Sequence, residues 1–528
     1  MNKLTINRRH THFFSELSNQ LCDNQELFKD FIQEPISLES FERQIQRKQK
    51  SYSTEQRLLT YTVLKEQLEP YFTFSNVQNN VELFKEKNTY TVTAGHQLSL
   101  YGGPLYTAYK IMDAIKLTEQ LAQRYSDYNF VPIFWMASED HDFEEINHIH
   151  LFNDKLIWES TQEGPVGRFK LHDIKGFKQN LLDKFKNNEE FASYLSTFYQ
   201  KETLAESTRE FLMDLFGDYG LLILDADDKR LKTSFIPIIE KELTEQFSES
   251  PILEAIQKLE KIGYHGQATP RPINLFYIDT QTRERIIPIA NKQFEIGKNN
   301  ISQADLLQEV KQYPERFSPN VVMRPLYQEC ILPNLCYLGG GGEMAYWLEL
   351  KGMFEQTSIP YPLIKVRNSI QYFDKTTVKK IEQLELHVDY VFKPIDELKK
   401  QFVLDNAEDK LDFTSLDASL QTFTQELEST ILHVDKGLDG FGKGEIVRIQ
   451  KQIDVIKEKL IRQQKRKFDE SMQKIDGIYE RLFPGNGLQE RFENIIPYIA
   501  KYGKKEFIHK LYEVEDPLQP DLILLIEE

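Results

Sequence analysis

Cysteine is scarce: Cys22, Cys330 and Cys336 are the only three in 528 residues. That is too few for a disulfide framework, which excludes the small, stapled, secreted class and fits a reducing cytoplasm. Long apolar runs are also missing. No uninterrupted stretch approaches the roughly 20 residues needed to cross a bilayer as a helix. Arg8, Arg9 and His10 are not followed by the apolar segment that a signal peptide would carry. A cytoplasmic protein with no membrane partner is expected. Positive charge is in deficit, 65 Lys and Arg against 82 Asp and Glu, for a formal net charge of -17. Nucleic acid is therefore not an expected partner, because its phosphates have to be met by Lys and Arg. What is present is ordinary for a globular protein of more than one domain, with 40% hydrophobic and 28% charged residues.

Five short apolar runs end in glycines or in polar clusters. Thr89–Thr93 runs into Ala94-Gly95-His96, and Phe130–Ala137 into Ser138-Glu139-Asp140-His141-Asp142. Gly220–Leu224 runs into Asp225–Asp228, Asn334–Leu338 into Gly339–Gly342, and Tyr361–Val366 into Arg367-Asn368-Ser369. Short apolar runs alternating with helical patterns predict parallel strands buried on both faces. Gly103-Pro104 predicts a helix start, with Leu105, Ala108, Met112 and Ile115 on one face. The fold class expected is α/β, a Rossmann-like parallel sheet over 1–375 with insertions near 155–215 and 230–330. In such a sheet ligands bind beyond the carboxyl ends of the strands, where all five polar clusters fall.

After Ser369 the chain becomes rich in Lys, Glu, Gln and Leu. A helical coiled-coil domain is expected over 376–505, and a tail over 506–528 that packs back on the core, with Leu522–Ile526 as a strand. Ile446, Ile449, Ile453, Ile456 and Leu460 form a heptad seam. Strict continuation places Gln463 and Lys467 inside, so the seam slips by a stutter before Phe468, Met472, Ile475, Tyr479 and Leu482. Leu416, Leu420, Phe423, Leu427 and Ile431 are the expected antiparallel partner, in an arm that also offers a homodimer contact.

The clusters suggest chemistry. Gly95, His96, Gln97, Gly102, Gly103, Tyr106 and Lys110 lie where glycines between strand and helix let a phosphate approach the backbone, although neither a Walker loop nor a dinucleotide fingerprint is present. The plainer reading is a tight turn. Glu139, Asp140 and Asp142 crowd carboxylates together and call for a cation: an α-ammonium, a magnesium ion or an arginine. His141 is a candidate base. A helix cap is the competing reading. His265, Gln267, Arg271 and Asn274 sit in a loop of an insertion, for which a plain surface loop is the stronger reading. Arg324, Gln328, Gly339, Gly340, Gly342, Glu343, Tyr346 and Trp347 surround a four-glycine run whose ordering cost argues for close ligand approach or a hinge. Lys365 and Arg367 end the last strand, where they would stabilise a leaving pyrophosphate, a plain solvated strand end being the competing reading. Cys330 and Cys336 read as buried structural thiols, and no metal site is expected.

Taken in order, these segments resemble one family. They are T-A-G-H-Q-L-S-L-Y-G-G-P-L-Y-T (Thr93 to Thr107), V-P-I-F-W-M-A-S-E-D-H-D-F-E-E-I-N (Val131 to Asn147), L-L-I-L-D-A-D-D (Leu221 to Asp228) and G-Y-H-G-Q (Gly263 to Gln267). They continue with R-P-L-Y-Q-E-C-I-L-P (Arg324 to Pro333), Y-L-G-G-G-G-E-M-A-Y-W (Tyr337 to Trp347) and G-L-Q-E-R (Gly487 to Arg491). The chain is similar over essentially its whole length to the bacillithiol biosynthesis cysteine-adding enzymes. It departs at His96, where the family often has Gln, and at Gly341, where it often has Pro. The resemblance implies a core similar to that of class I aminoacyl-tRNA synthetases, a coiled-coil arm and ATP or ADP binding. It also implies a ligase activity that adds cysteine to the amine of glucosaminyl-malate. By analogy of fold alone, Leu105–Tyr109 falls at the place of the synthetase L-H-I-G-H motif and Lys365–Ser369 near K-M-S-K-S.

The expected mechanism lays ATP along the Gly95–Lys110 turn. Lys365 and Arg367 neutralise charge as the cysteine carboxylate attacks phosphorus. Glu139, Asp140 and Asp142 hold the cysteine ammonium or Mg²⁺, and His141 serves the sugar amine. The rivals are a nucleotide-binding scaffold or sensor for the pathway, and a nucleotide-sugar transferase, which would need a second strand–helix repeat after Ser369.

Overall fold

A computed structural model describes residues 1–152, 154–279, 282–406, 413–465 and 468–528. The five apolar runs form the strands Thr89–His96, Asn129–Met136, Leu222–Asp225, Asn334–Gly339 and Leu363–Val366. All their pairings are parallel, in one sheet. Numbered by chain order the strands lie 3-2-1-4-5 across the sheet, the doubly wound arrangement. The run Thr89–Gly95 is buried without a break, which is why β-branched and aromatic residues follow one another there instead of alternating with polar ones. The fold is a Rossmann-like sheet, and the helix expected after Gly103-Pro104 is present, whereas 343–354 is divided between the two short helices Gly341–Trp347 and Lys351–Glu355.

Helix Tyr106–Arg124 crosses from the first strand to the second, and its face of Leu105, Ala108, Met112 and Ile115 is buried. It starts two residues later than Pro104 suggested. Pro104 instead pairs antiparallel with Asn494, and the Leu105 N–H donates to the Glu493 carbonyl at 2.8 Å. A segment from nearly 400 residues away thus pins this stretch.

The segment 155–215 contains helices Lys175–Asp183, Glu189–Ser196 and Leu204–Phe216. The segment 230–330 carries helices Ile236–Glu245 and Glu249–Lys261, then an antiparallel sheet. Its strand order is Asn299–Ser302, Gln293–Ile296, Arg283–Ile289, Leu275–Ile278, Phe317–Pro319. The tail strand Leu522–Ile526 lies in a small third sheet, antiparallel to Asn2–Ile6 and parallel to Ile370–Phe373. Both chain ends are therefore bound where the core meets the helical domain. Beyond Phe373 the only strand among the described residues is Leu522–Ile526.

Helices Thr414–Val434 and Asp439–Lys465 pack as a hairpin. Ile446, Ile449 and Ile453 are half-buried in it, whereas Ile456 and Leu460 are exposed and Ile461 is buried. The seam thus shifts earlier than its spacing indicated, because helix Ile395–Asn406 packs against Asp439–Lys465 as a further partner. Of the expected partner positions Leu420 is buried, Leu427 and Ile431 are half-buried, and Leu416 and Phe423 face solvent. Gln463 is exposed, and Lys467 lies outside the described residues. The resumed track at Met472, Ile475, Tyr479 and Leu482 is buried in helix Asp469–Leu482.

Tyr101, Gly102 and Gly103 all have positive φ, at 47°, 79° and 64°. Asn494 Nδ2 donates to the carbonyls of Tyr101 (3.0 Å) and Gly103 (2.7 Å), while the Tyr199 hydroxyl accepts from the Tyr101 N–H at 2.6 Å. A Cβ at Gly103 would lie 2.5 Å from Ser99 Cβ, but one at Gly102 would meet Phe211 at an ordinary 3.5 Å. Gly103→Ala should therefore cost about 1–3 kcal/mol of backbone strain plus an overpacking penalty of about the same size. Gly102→Ala should cost about 1–2 kcal/mol, the left-handed penalty alone. Urea unfolding of the two variants checks the difference.

Candidate functional site

Chain direction makes the crevice. From the Thr89–His96 strand the chain crosses toward Asn129–Met136, and from the adjacent Asn334–Gly339 strand it crosses the other way, toward Leu363–Val366. The two departures leave a gap at the strands' carboxyl ends, the switch point where ligands bind in such sheets. His96 and Gly339 sit at its two lips.

Lys110 spans the gap. Its buried ammonium donates to the Gly95 carbonyl (2.8 Å) and to both Glu343 oxygens (2.9 Å each). Glu343 in turn accepts the Gly340 N–H at 2.9 Å. Burial opposes ionisation of Glu343, but Lys110 overrides it and holds the carboxyl below its usual range. A Cβ on Gly339 would lie 2.6 Å from the Glu343 carboxylate, and one on Gly341 2.9 Å from Ser18, so both glycines are required by contact. At Gly342 a Cβ would meet nothing within 4 Å.

His96 is bonded on both ring nitrogens. Nδ1 donates to the Gln97 carbonyl (3.0 Å), and Nε2 accepts from the Tyr106 hydroxyl (2.9 Å). Burial, aided by the positive charge of Lys110 and Arg367, pushes His96 down to about 4, so the ring is neutral at pH 7. Above Tyr106 lies the Arg367 guanidinium, 5.1 Å from the ring centre. Arg367 is held by Glu490 through two parallel bonds of 3.0 and 2.8 Å. Glu490 comes from the G-L-Q-E-R segment of the helical domain; nothing in its local sequence marked it as a partner of Arg367, 123 residues away. Lys365 points elsewhere: its ammonium meets Asp113 of the crossover helix at 2.8 Å. The expectation that it faces a leaving group is corrected by that buried pair.

The acidic cluster finds its cations within the chain. Lys232 binds Glu139 and donates to the Phe317 carbonyl. Arg283, from the insertion sheet, lies 3.8 Å from Asp140 and donates to Ser318, the Pro319 carbonyl and His141 Nδ1 (2.9 Å). Burial works against the Asp140 charge. Hydrogen bonds from His141 and Gln97, with Arg283 nearby, outweigh it and hold the carboxyl well below its usual range. Asp142 caps the helix Phe143–Ile146 by accepting the Glu145 N–H. The arginine option is thus the realised one, and these carboxylates do not fit a protein-held magnesium ion. Among the described residues no cluster of three His, Cys, Asp or Glu could hold a metal. Arginine only donates, so His141 Nδ1 is an acceptor and the neutral ring carries its proton on Nε2. In that state His141 has no free lone pair for a base.

A cavity of about 860 Å³ opens beyond the ends of the fourth and fifth strands. Gly340, Gly342, His265, Gln267 and Arg367 line it, as does Gly341. Its other walls are Arg8–Ser18 and Asn486–Arg491, two segments that sequence reasoning did not assign to the site. Glu349 fixes the loop carrying His265 by accepting the N–H groups of Gln267 (2.6 Å) and Ala268 (2.9 Å). Gly95, His96, Gln97, Tyr106, Lys110 and Glu343 form the adjoining rim. Asp140 joins that rim because Gln97 Nε2 donates to it at 2.8 Å.

Other expected residues lie outside the cavity lining. The Gly102–Gly103 turn packs on helix Leu204–Phe216, away from the cavity. Asn274 is fully buried, bonded to Ser248 and Asn320. Gln328 is buried between Arg324 and Glu329, and Trp347 stacks on Tyr337 in the core. Arg324 sits over the Tyr337 ring, Tyr346 is half-buried without lining the cavity, and Arg271 is exposed on the insertion surface.

Between pH 6.5 and 4 the unfolded chain takes up a proton at His96 that the folded chain refuses, so stability falls as pH falls through that window. His96→Gln should remove this loss and flatten the melting temperature against pH there. An unchanged profile would mean that His96 titrates normally.

The family described as bacillithiol biosynthesis BshC, N-terminal Rossmann-like domain, matches residues 1–368. The corresponding C-terminal coiled-coil domain matches residues 370–526. A protein of Flavobacterium johnsoniae named "Putative cysteine ligase BshC" is 38% identical, covering 93% of this chain and 94% of its own. One of the same name from Christiangramia forsetii is 38% identical over 98% of this chain and 97% of its own. A solved structure titled a putative arginyl tRNA synthetase, from Campylobacter jejuni, aligns with 84% of this chain and 98% of its own. At 10% identity and a TM-score of 0.22 it carries no argument. Sheet, helical arm and near-complete coverage of both lengths agree: the chain belongs to the bacillithiol biosynthesis BshC family.

Proposed function

We propose that the chain is a ligase that joins the carboxyl group of cysteine to the amine of glucosaminyl-malate, with ATP or ADP bound at the switch-point crevice. The observation that carries this reading is the 860 Å³ cavity at the strand ends, in a chain whose near-full-length relatives are named for cysteine ligation. That volume lies in the range of small-molecule and cofactor sites. Gly342 opens toward space where a side chain would stand, which leaves the backbone there accessible to a nucleotide.

A carboxylate and an amine at neutral pH form a salt, not an amide, so the carboxylate must first be activated. A carboxylate oxygen of cysteine attacks a phosphorus of ATP, and pyrophosphate or ADP departs with the bonding electrons. The amine nitrogen then attacks the acyl carbon. The acyl C–O bond breaks, AMP or phosphate leaves, and the nitrogen releases its proton to solvent or to the departing phosphate. Arg367, oriented by Glu490, offsets charge on the phosphate side. Neutral His96 and Tyr106 position the rim. Asp140 acts by holding Gln97 beside His96, and His141 offers its Nε2–H as a donor. The transferase alternative loses ground because the described residues after Phe373 hold one strand and no second parallel sheet.

The helical arm supports a homodimer. Phe441 and Val455, two heptads apart on helix Asp439–Lys465, are 64% and 57% exposed. Sedimentation should show a dimer for the parent chain and a monomer for Phe441→Glu/Val455→Glu, and a monomeric parent would end this reading.

Purified protein incubated with cysteine, ATP and glucosaminyl-malate should form cysteinyl-glucosaminyl-malate. Release of AMP marks an adenylate and release of ADP an acyl phosphate. A folded protein that binds nucleotide without turnover would be a scaffold, and the ligase reading would fall.

A further inference from the structure

Arg8 is buried, 4% exposed, without a carboxylate partner among the described residues. It lies in the short turn Arg8–His10, whose start is capped by Asn7. One guanidinium nitrogen donates to the Arg367 carbonyl at 2.9 Å. The group lies 4.6 Å from the centre of the Phe14 ring, and its Nε has no partner. Other buried cations are matched. Lys48, Lys110, Arg209, Lys232, Lys365 and Arg367 each meet a carboxylate. Arg57 gives hydrogen bonds to three backbone carbonyls. An unmatched buried charge is costly unless something else supplies the opposite sign.

Arg8 lines the 860 Å³ cavity. So does Arg367, whose own Nε is buried and unpartnered although its other nitrogens are engaged by Glu490. Arg491, on the facing segment, lines it with no ion pair among the described residues. The two carboxylates of the lining are already matched, Glu490 by Arg367 and Glu16 by Arg9. The cavity thus keeps an excess of positive charge inside a chain whose net charge is -17.

We propose that this cavity contains an oxyanion subsite centred on Arg8, with Arg491 as its second cation, for a small ligand of two negative charges. The inference rests on the ligase reading only for the two sources of such a ligand, the malyl dicarboxylate and the nucleotide phosphates. Both present carboxylate or phosphate oxygens to a forked donor, the geometry that a guanidinium matches.

Calorimetric titration with malate, glucosaminyl-malate, ADP and inorganic phosphate tests it directly, without turnover. Arg8→Gln should weaken one class of ligand by about tenfold to a hundredfold, and Arg8→Lys should restore part of that loss. Weakening of malate and glucosaminyl-malate with ADP unchanged places the dicarboxylate here. Weakening of ADP and phosphate with malate unchanged places the nucleotide here. Because Arg8 also braces the Arg367 carbonyl, Arg491→Gln, at an exposed position, provides a second readout that leaves this contact alone. It should weaken the same ligand by a smaller factor. Affinities within twofold of the parent for all four ligands in both Gln variants, with unchanged melting curves, would overturn the subsite. A parent protein that binds these anions through Arg8 yet forms no amide would sink the ligase reading and leave the subsite standing.

Discussion

The crevice depends on one buried cation. The chain leaves two adjacent parallel strands in opposite directions, and Lys110 ties the departures together by binding the end of one strand and the first turn after the other. Lys110 is out of bulk water and Glu343 is half-buried, so removing Glu343 would strand the ammonium in a poorly solvating place, typically a penalty of about 3–5 kcal/mol. The same pair presses the Glu343 carboxylate against Gly339, where no side chain fits. Site geometry and backbone composition are therefore consequences of a single electrostatic contact.

Similar pairs repeat around the rim, and each joins segments far apart in the chain. Arg367 and Glu490 link the last core strand to the helical domain. Lys365 and Asp113 link that strand to the first crossover helix. Lys232 and Glu139 join the second strand's end to the insertion, and Arg283 adds a second connection there. Buried ion pairs are weak contributors to net stability but strict about geometry, because a misplaced partner leaves an uncompensated charge. A rim built this way holds its shape while the helical domain supplies one wall of the cavity. The chain is acidic overall, yet it concentrates matched cations at the sheet's end and leaves Arg8 unmatched.

Much of this was legible in the residues. Five apolar runs ending in glycine or polar clusters were enough to identify the five core strands, because a strand buried on both faces has few other ways to be written. The Lys110 helix, the insertions and the helical arm followed from periodicity and spacing. The site was legible only in outline. Gly102 and Gly103 looked like a phosphate turn, but turns that need positive φ for packing use the same glycines. Asn274, Gln328 and Trp347 belong to the core, since polar and aromatic side chains serve buried networks as readily as ligands. Arg8, Glu490 and Arg283 were missed because no local pattern distinguishes them from solvated charges.

Local chemistry alone thus determined where strands end, which helices cross between them, and which residues stand at the carboxyl rim, since backbone propensity and burial act over a few neighbours. Tertiary structure decided the partners. That Arg367 is oriented by Glu490, and that Asp140 meets Arg283 rather than a substrate ammonium, depends on which distant charge the fold brings within about 4 Å. Electrostatic pairing is a property of space, and linear spacing carries little information about it beyond one helical turn.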